Sequence, residues 1–261
     1  MKSILPFCFF LLIFPSCQNI TYFFISDQAE VELGRQVKRV ILSDNQQFPE
    51  YTANESLIRY VDSIGQALVE AQQDRKEIGY TFALIDNPDI INAFALPGGF
   101  VFVYTGLIKA ARNEAELAGV LAHEIGHITK RHGIKRLIQT YGAGLLLEIL
   151  ISEDAQVTRK LSEIAAKLAF LQYGRSNEYE ADSVAVEYMH LAGYNPTGMQ
   201  TFLELLNEYT QESSPVMELF STHPDTERRI ERVERIISRL EADLPEEELY
   251  ESRFIQYREL L

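Results

Sequence analysis

The stretch His123-Glu124-Ile125-Gly126-His127 decides how this chain is read. On a helix, residues four apart share a face, so the two imidazoles can hold one metal ion between them. Glu124, one residue into the pair, can bring its carboxylate to a water polarised by that metal. Two neutral nitrogen ligands, an open position and a base are the minimum equipment of a zinc hydrolase. The flanks predict a helix. Asn113 is placed to cap it, Glu116 completes a capping box, and Leu117, Val120, Leu121, Ile125 and Ile128 give it an apolar face. Lys130, Arg131 and His132 suit its last turn, and Gly133 is the expected terminator. The bland alternative is an amphipathic helix carrying two surface histidines.

A second acidic pattern follows at Arg175-Ser-Asn-Glu178-Tyr-Glu-Ala-Asp182. A catalytic zinc takes a third protein ligand, often a carboxylate. Glu178 and Asp182 are four apart and share a face. One can bind the metal while the other accepts the N–H of a ligand histidine and fixes its tautomer. Glu180 lies about 200° around the helix from Glu178 and should point elsewhere. The alternative is a solvated acidic helix start.

Taken together these residues resemble the gluzincin pattern, His-Glu-x-x-His followed by Glu-x-x-x-Asp. With Asn92-Ala-Phe-Ala-Leu-Pro-Gly-Gly99 upstream and Thr222-His-Pro224 downstream, the chain resembles the HtpX-type and CAAX-prenyl-protease-type metallopeptidases (peptidase family M48). Within that family it is most similar to the periplasmic lipoprotein peptidases and the mitochondrial Oma-type enzymes. The resemblance covers about residues 27–240. It implies that His123, His127 and Glu178 hold one Zn2+ per chain and that Glu124 is the general base, which leaves Asp182 as the carboxylate that orients a ligand. It also implies substrates that are misfolded or mis-assembled envelope proteins. Two other functions stay open: a zinc amidase acting on small substrates, and a lipid-anchored chaperone or assembly factor with a vestigial site.

The fold class this predicts is mainly helical α+β, a gluzincin domain with a small sheet beside the zinc-binding helices. Periodicity predicts helices over 26–42 and 53–72, then strands at Tyr80–Ile85, Ile90–Leu96 and Phe100–Tyr104, with Gly106 closing the last. A protease must hold its substrate extended, which an exposed sheet edge does through backbone hydrogen bonds. The run Asn92, Ala93, Phe94, Ala95 and Leu96 is the proposed edge; the alternative is a hairpin that merely packs on helices. Beyond Gly133 the two glycines Gly142 and Gly144 flank a break, and Leu145–Ile151 is apolar enough for core, for a lid or for a membrane-facing flap. Asp154 should cap a helix reaching about Tyr173, Ser176 the helix bearing Glu178, and Gly193 should end that one. Asn195-Pro196 should start the next, Pro224–Leu240 should form a final helix, and the tail should be peripheral.

Among the remaining histidines, His223 could donate to the oxyanion of a tetrahedral intermediate or fill the open metal position at rest. It could also be a plain residue fixed by Pro224. Arg228 and Arg229 are weaker candidates for the oxyanion. His132 and His190 carry no pattern and read as ordinary surface or core histidines.

The 261 residues suit one domain, and a hydrophobic share of 46% is ordinary for a globular core. A net charge of −14 argues against nucleic acid as a partner. Both cysteines, Cys8 and Cys17, lie at the N-terminus, so the body has no disulfide or thiolate site. Met1-Lys2 and the apolar Ile4–Phe14 have the form of a secretory signal, and Phe14-Pro15-Ser16-Cys17 resembles a loose lipobox. The segments expected are 1–17 signal and lipobox, 26–240 peptidase and 241–261 acidic tail. Location would then be the periplasmic face of a bacterial envelope, with a lipid on Cys17 tethering the chain to a membrane. A cleaved signal or an uncleaved anchor, kept open by Tyr22-Phe-Phe-Ile25, are the alternatives. No later run reaches the length needed to cross a bilayer.

Overall fold

The computed structural model describes residues 25–152, 154–210, 222–240 and 250–261. The signal segment, the lipobox and Cys17 lie outside them.

The strands divide the molecule. β1 (Thr81–Ile85), β2 (Ala93–Leu96) and β3 (Phe100–Tyr104) form a sheet in the order β1-β3-β2, with β1 parallel and β2 antiparallel to β3. Side chains alternate across a strand, and here each parity feeds a different core. Phe82, Leu84, Ala93, Ala95, Val101 and Val103 join one apolar cluster; Ile85, Phe94, Leu96, Phe100, Phe102 and Tyr104 join the other. The run between β2 and β3 turns at Gly98 and Gly99, with φ of 82° and 103°. A Cβ on Gly99 would sit 2.1 Å from the Gly79 carbonyl oxygen, so only glycine fits there.

On the first face lie α2 (Glu55–Ala71), α3 (Thr105–Ala110), α4 (Glu114–Thr129), α8 (Arg175–Leu191), α9 (Thr197–Thr210) and α10 (Thr226–Ile237). α4 is the hub: it packs on α8, α9 and α2 and lies beside β2, while α10 bridges α8 and α9. Every residue of α4 is buried, which is why its apolar pattern runs all round rather than along one stripe. The second face carries α1 (Asp27–Ser43), α5 (His132–Tyr141), α6 (Ala143–Ile151) and α7 (Ala155–Leu168). The mainly helical α+β architecture expected from the sequence is the one found. Among the described residues, no helix is long and apolar enough to cross a membrane.

Side-chain caps mark four of the helix starts. Side-chain oxygens of Ser26, Asn54, Asn113 and Asp154 accept the first free N–H groups of α1, α2, α4 and α7. Several expectations are corrected. Gly106 does not close β3 into a loop; it lies inside α3. The metal helix ends at Thr129 rather than Gly133, because Arg131 takes a left-handed φ of 59° and His132 opens a new helix. α7 stops at Leu168, well short of Tyr173, and Gly174 rather than Ser176 occupies the cap position of α8. In α6 Leu146 and Ile149 are core, while Ile151 is 86% exposed. The C-terminal tail is not peripheral where it is described. Residues Glu251–Arg258 form α11, whose Phe254 is fully buried and whose Tyr257 ring stacks on Tyr60 at 4.0 Å.

Candidate metal centre

His123 and His127 project from consecutive turns of α4 and meet, with Nε2 atoms 3.0 Å apart. Glu178, in the first turn of α8, faces both: its Oε2 is 3.4 Å from His123 Nε2 and its Oε1 3.5 Å from His127 Nε2. That approach depends on Gly126. A Cβ there would lie 2.9 Å from a Val184 methyl and 3.1 Å from the Ala181 carbonyl oxygen, so the glycine lets α4 and α8 close up. His223, before α10, completes the cluster, with Nδ1 3.2 Å from His123 Nε2 and 3.1 Å from Glu178 Oε2.

The four residues are buried and offer ligand atoms that all lie within 4.8 Å of one another. Among the described residues, Glu178 Oε1 is buried without a protein hydrogen bond, as is Glu124 Oε2. Three imidazole nitrogens and a carboxylate, crowded together with a carboxylate oxygen left partnerless, fit a divalent metal ion of the borderline class. Electrostatics favour ligation at Glu178 and His127. At His123, burial and the Arg229 charge are outweighed by hydrogen bonds to Asp182 and Glu178, which raise the imidazole to about 9, so a metal would have to displace its Nε2 proton. Burial would raise Glu178, but the positive charges of His223 and Arg229 and hydrogen bonds from His123 and His223 hold it well below the usual carboxylate range. Burial and the neighbouring His123 keep His127 neutral, the ligating form.

Glu124 lies one residue from the donors, with Oε1 3.6 Å from His223 Nε2. Burial pushes its carboxyl up, against the opposing charges of His223 and His123. Asp182 accepts from His123 Nδ1 at 2.9 Å, which leaves Nε2 of that ring free for the donor cluster. Arg229 grips Asp182 through Nε at 2.9 Å and Nη2 at 2.8 Å, and reaches Glu178 Oε2 at 3.2 Å. Arg229 Nη2 also lies 3.4 Å from His123 Nδ1. Both are donors once His123 is set by Asp182, so the shorter carboxylate contact fixes the tautomer. Arg229 thus packs on the residues around the candidate ligands, and Arg228 is exposed beside Asp225.

Asn92 is fully buried, and among the described residues neither atom of its side-chain amide has a protein hydrogen bond. β2 is an outer strand of the sheet. Tyr104 N donates to Asn92 O at 3.0 Å, so by the antiparallel alternation Asn92, Phe94 and Leu96 turn their backbone groups toward β3. Ala93 and Ala95 turn theirs away from β3, although both residues are buried. The opposite edge is covered: Tyr51 N donates to Leu84 O and Asp86 N to Pro49 O.

Three features escaped sequence reasoning. Tyr173 stacks on His127 at 4.0 Å. A narrow, mainly apolar pocket opens beside Glu124 and His223, walled by Val120, Met199, Phe202, Leu203 and Leu206. His132 is neither surface nor ordinary core: its Nδ1 lies 2.9 Å from His127 Nδ1. The α9 residues carried only a core-like periodicity, and His132 lay beyond a helix break that no periodicity marks.

Residues 55–237 match Peptidase family M48. The chain is 34% identical over 184 residues to the beta-barrel assembly-enhancing protease of Escherichia coli (strain K12), which is 67% of this chain and 37% of that protein. A putative beta-barrel assembly-enhancing protease of Vibrio cholerae is 36% identical over 185 residues, 67% of this chain and 38% of its own length. The mitochondrial metalloendopeptidase OMA1 of Schizosaccharomyces pombe is 31% identical over 144 residues, 55% of this chain and 42% of its own. The chain therefore spans less than half the length of these relatives. With His123, Glu124, His127 and Glu178 brought together inside the matched region, the chain belongs to peptidase family M48.

Proposed function

We propose that this chain is a zinc-dependent endopeptidase that cleaves misfolded or mis-assembled proteins of a bacterial envelope. The observation that carries this reading is the convergence of His123, His127 and Glu178 beside a buried Glu124 whose Oε2 has no partner among the described residues. His123 and His127 would hold the ion through Nε2 and Glu178 through its carboxylate. Bound zinc supplies a Lewis acid that polarises a carbonyl and lowers the pKa of a water. Glu124 takes the proton of the attacking water and returns it to the leaving amine, a task suited to a carboxyl that burial has shifted upward. Asp182 and Arg229 keep His123 in its ligating tautomer.

His223 occupies the donor cluster in this arrangement, so it fills the position a substrate needs. Swinging aside would open the site and leave its ring N–H free to donate to the oxyanion. Substrate would add to the side of β2 away from β3, through Ala93 and Ala95, once that buried edge is uncovered, setting an apolar side chain into the pocket of Val120, Met199 and Leu206. The names of the bacterial relatives, which refer to β-barrel assembly, support the quality-control role. Residues 26–240 would form the peptidase, exported behind residues 1–17 and tethered on the periplasmic side by lipid on Cys17. Mass spectrometry of the mature N-terminus tests the tether.

The deciding experiment is cleavage of unfolded casein by the purified, zinc-loaded chain beside its Glu124→Gln variant. Cleavage by the first alone, with zinc retained by both, is the expected result. An amidase would spare casein and cut small amides. A scaffold with a retired site would lose nothing on the substitution. His223→Ala is expected to speed cleavage if closure limits the rate, and to slow it if the oxyanion contact does.

A further inference from the structure

His127 has a partner on the side facing away from the donor cluster. Its Nδ1 lies 2.9 Å from Nδ1 of His132, a residue only 1% exposed, and His132 Nε2 lies 3.1 Å from Glu180 Oε2. Two facing ring nitrogens can hydrogen-bond only when one carries a proton and the other does not. Geometry fixes which. His127 Nε2 faces His123 and Glu178, so when it ligates, the proton of that ring is on Nδ1. His132 Nδ1 must then accept, which puts its own proton on Nε2. That atom meets a carboxylate, which only accepts. Each contact along the chain pairs a donor with an acceptor, and no atom is asked for two roles.

The backbone is shaped for this contact. Arg131 adopts its left-handed conformation while its Nε donates to the buried Glu30 at 2.8 Å and its Nη2 to the Ile25 carbonyl at 2.7 Å. Without that bend α4 would run on, and a residue five positions past His127 would lie well around the helix from it. With it, the chain doubles back and His132 reaches the His127 ring.

We propose that His132 and Glu180 are a positioning pair for His127, fixing the tautomer and orientation of this ligand as Asp182 and Arg229 do for His123. The inference rests on His127 being a metal ligand. Glu180 completes the pair from outside the cluster, with its side chain half exposed. Removing the hydrogen-bond partner of a ligand histidine typically costs about 10–100-fold in metal affinity or activity.

The test is zinc affinity of the full chain, measured by competition with a chromophoric chelator, for the parent, Glu180→Ala, Glu180→Gln, His132→Ala and His127→Ala. Glu180→Ala and His132→Ala are expected to weaken zinc binding about 10–100-fold. Glu180→Gln keeps an acceptor oxygen and should stay within a few-fold of the parent, a rescue that mere packing would not produce. Long-range 1H–15N spectra of the zinc-loaded parent should show the His127 proton on Nδ1. Parent-like affinity in Glu180→Ala overturns the pair. That variant decides the matter even if His132→Ala fails to fold, since it alters a surface carboxylate. A parent that binds no zinc, or a His127→Ala that binds like the parent, instead overturns the ligand reading on which the pair rests.

Discussion

As the proposed general base, Glu124 would pull function and stability in opposite directions. Removing a general base typically costs about 10²–10⁴-fold in rate, so Glu124→Gln should abolish measurable cleavage while zinc content stays at the parent level. Its carboxyl is raised above the unfolded value by burial. An acid raised on folding stabilises the protein in its protonated form; that contribution is whole below the unfolded pKa of about 4.3 and is lost as pH rises toward the folded value. In chelator at neutral pH, Glu124→Gln should therefore melt at a higher temperature than the parent, and the gap should close below about pH 4. Thermal scans at both pH values check the sign. Arg229 is the opposite case. It is buried on Asp182 and Glu178, so Arg229→Ala takes the guanidinium from two buried carboxylates and leaves them the rings of His123 and His223; it should cost about 3 kcal/mol in urea unfolding of the metal-free protein. At this scale the sequence was legible wherever partners share one helix: His123 with His127, and Glu178 with Asp182, follow from a four-residue spacing. Arg229 and His132 reach the cluster from other helices, and one-dimensional spacing carries no trace of such contacts.

Helices and strands were largely readable, because caps and apolar periods are local signals. The exceptions have a common cause. α4 was expected to continue to Gly133, since Lys130, Arg131 and His132 suit a last turn; tertiary contacts from Glu30 and Ile25 instead hold Arg131 in a left-handed turn. The crossing of α4 and α8 depends on one missing side chain. Gly126→Ala places a methyl against Val184 and the Ala181 backbone, and the backbone cannot yield as a side-chain tip would. Overpacking of this kind costs about 1–3 kcal/mol, and here it also draws Glu178 away from the histidines, so zinc affinity should fall together with stability. Gly144→Ala is the matched control. Nothing lies within 4 Å of its position in α6, and filling it should leave zinc binding unchanged while stabilising by about 0.5–1 kcal/mol. Equal zinc affinities for the two variants would remove the case for a glycine-dependent crossing.

The whole molecule joins distant chain ends at the metal helix. Glu114, the first residue of α4, is fully buried, and its carboxylate accepts from Tyr60 at 2.6 Å, from Tyr194 at 3.0 Å and from Arg253 Nε at 2.6 Å. Negative charge at that end also suits the helix dipole. Arg253 belongs to α11, beyond the residues that match the family, and α11 and the residues just after it add further ties: Arg258 donates to Ala111 O at 3.1 Å, and Tyr51 to Leu260 O at 3.1 Å. A run of glutamates before this helix made the tail read as solvent-facing, and one buried phenylalanine in eight residues gave composition little to register. Phe254 and Arg253 can be ranked. Phe254→Ala empties a fully buried site and should cost about 3–5 kcal/mol. Arg253→Met should cost less, on the order of 1 kcal/mol, because water screens its half-exposed side chain and the two tyrosines still serve Glu114. Urea unfolding of both variants gives the order directly. Zinc affinity should hold in each, since neither residue touches the metal cluster. A Phe254→Ala variant as stable as the parent would mean that α11 does not dock in solution, and that Glu114 finds its balancing charge elsewhere.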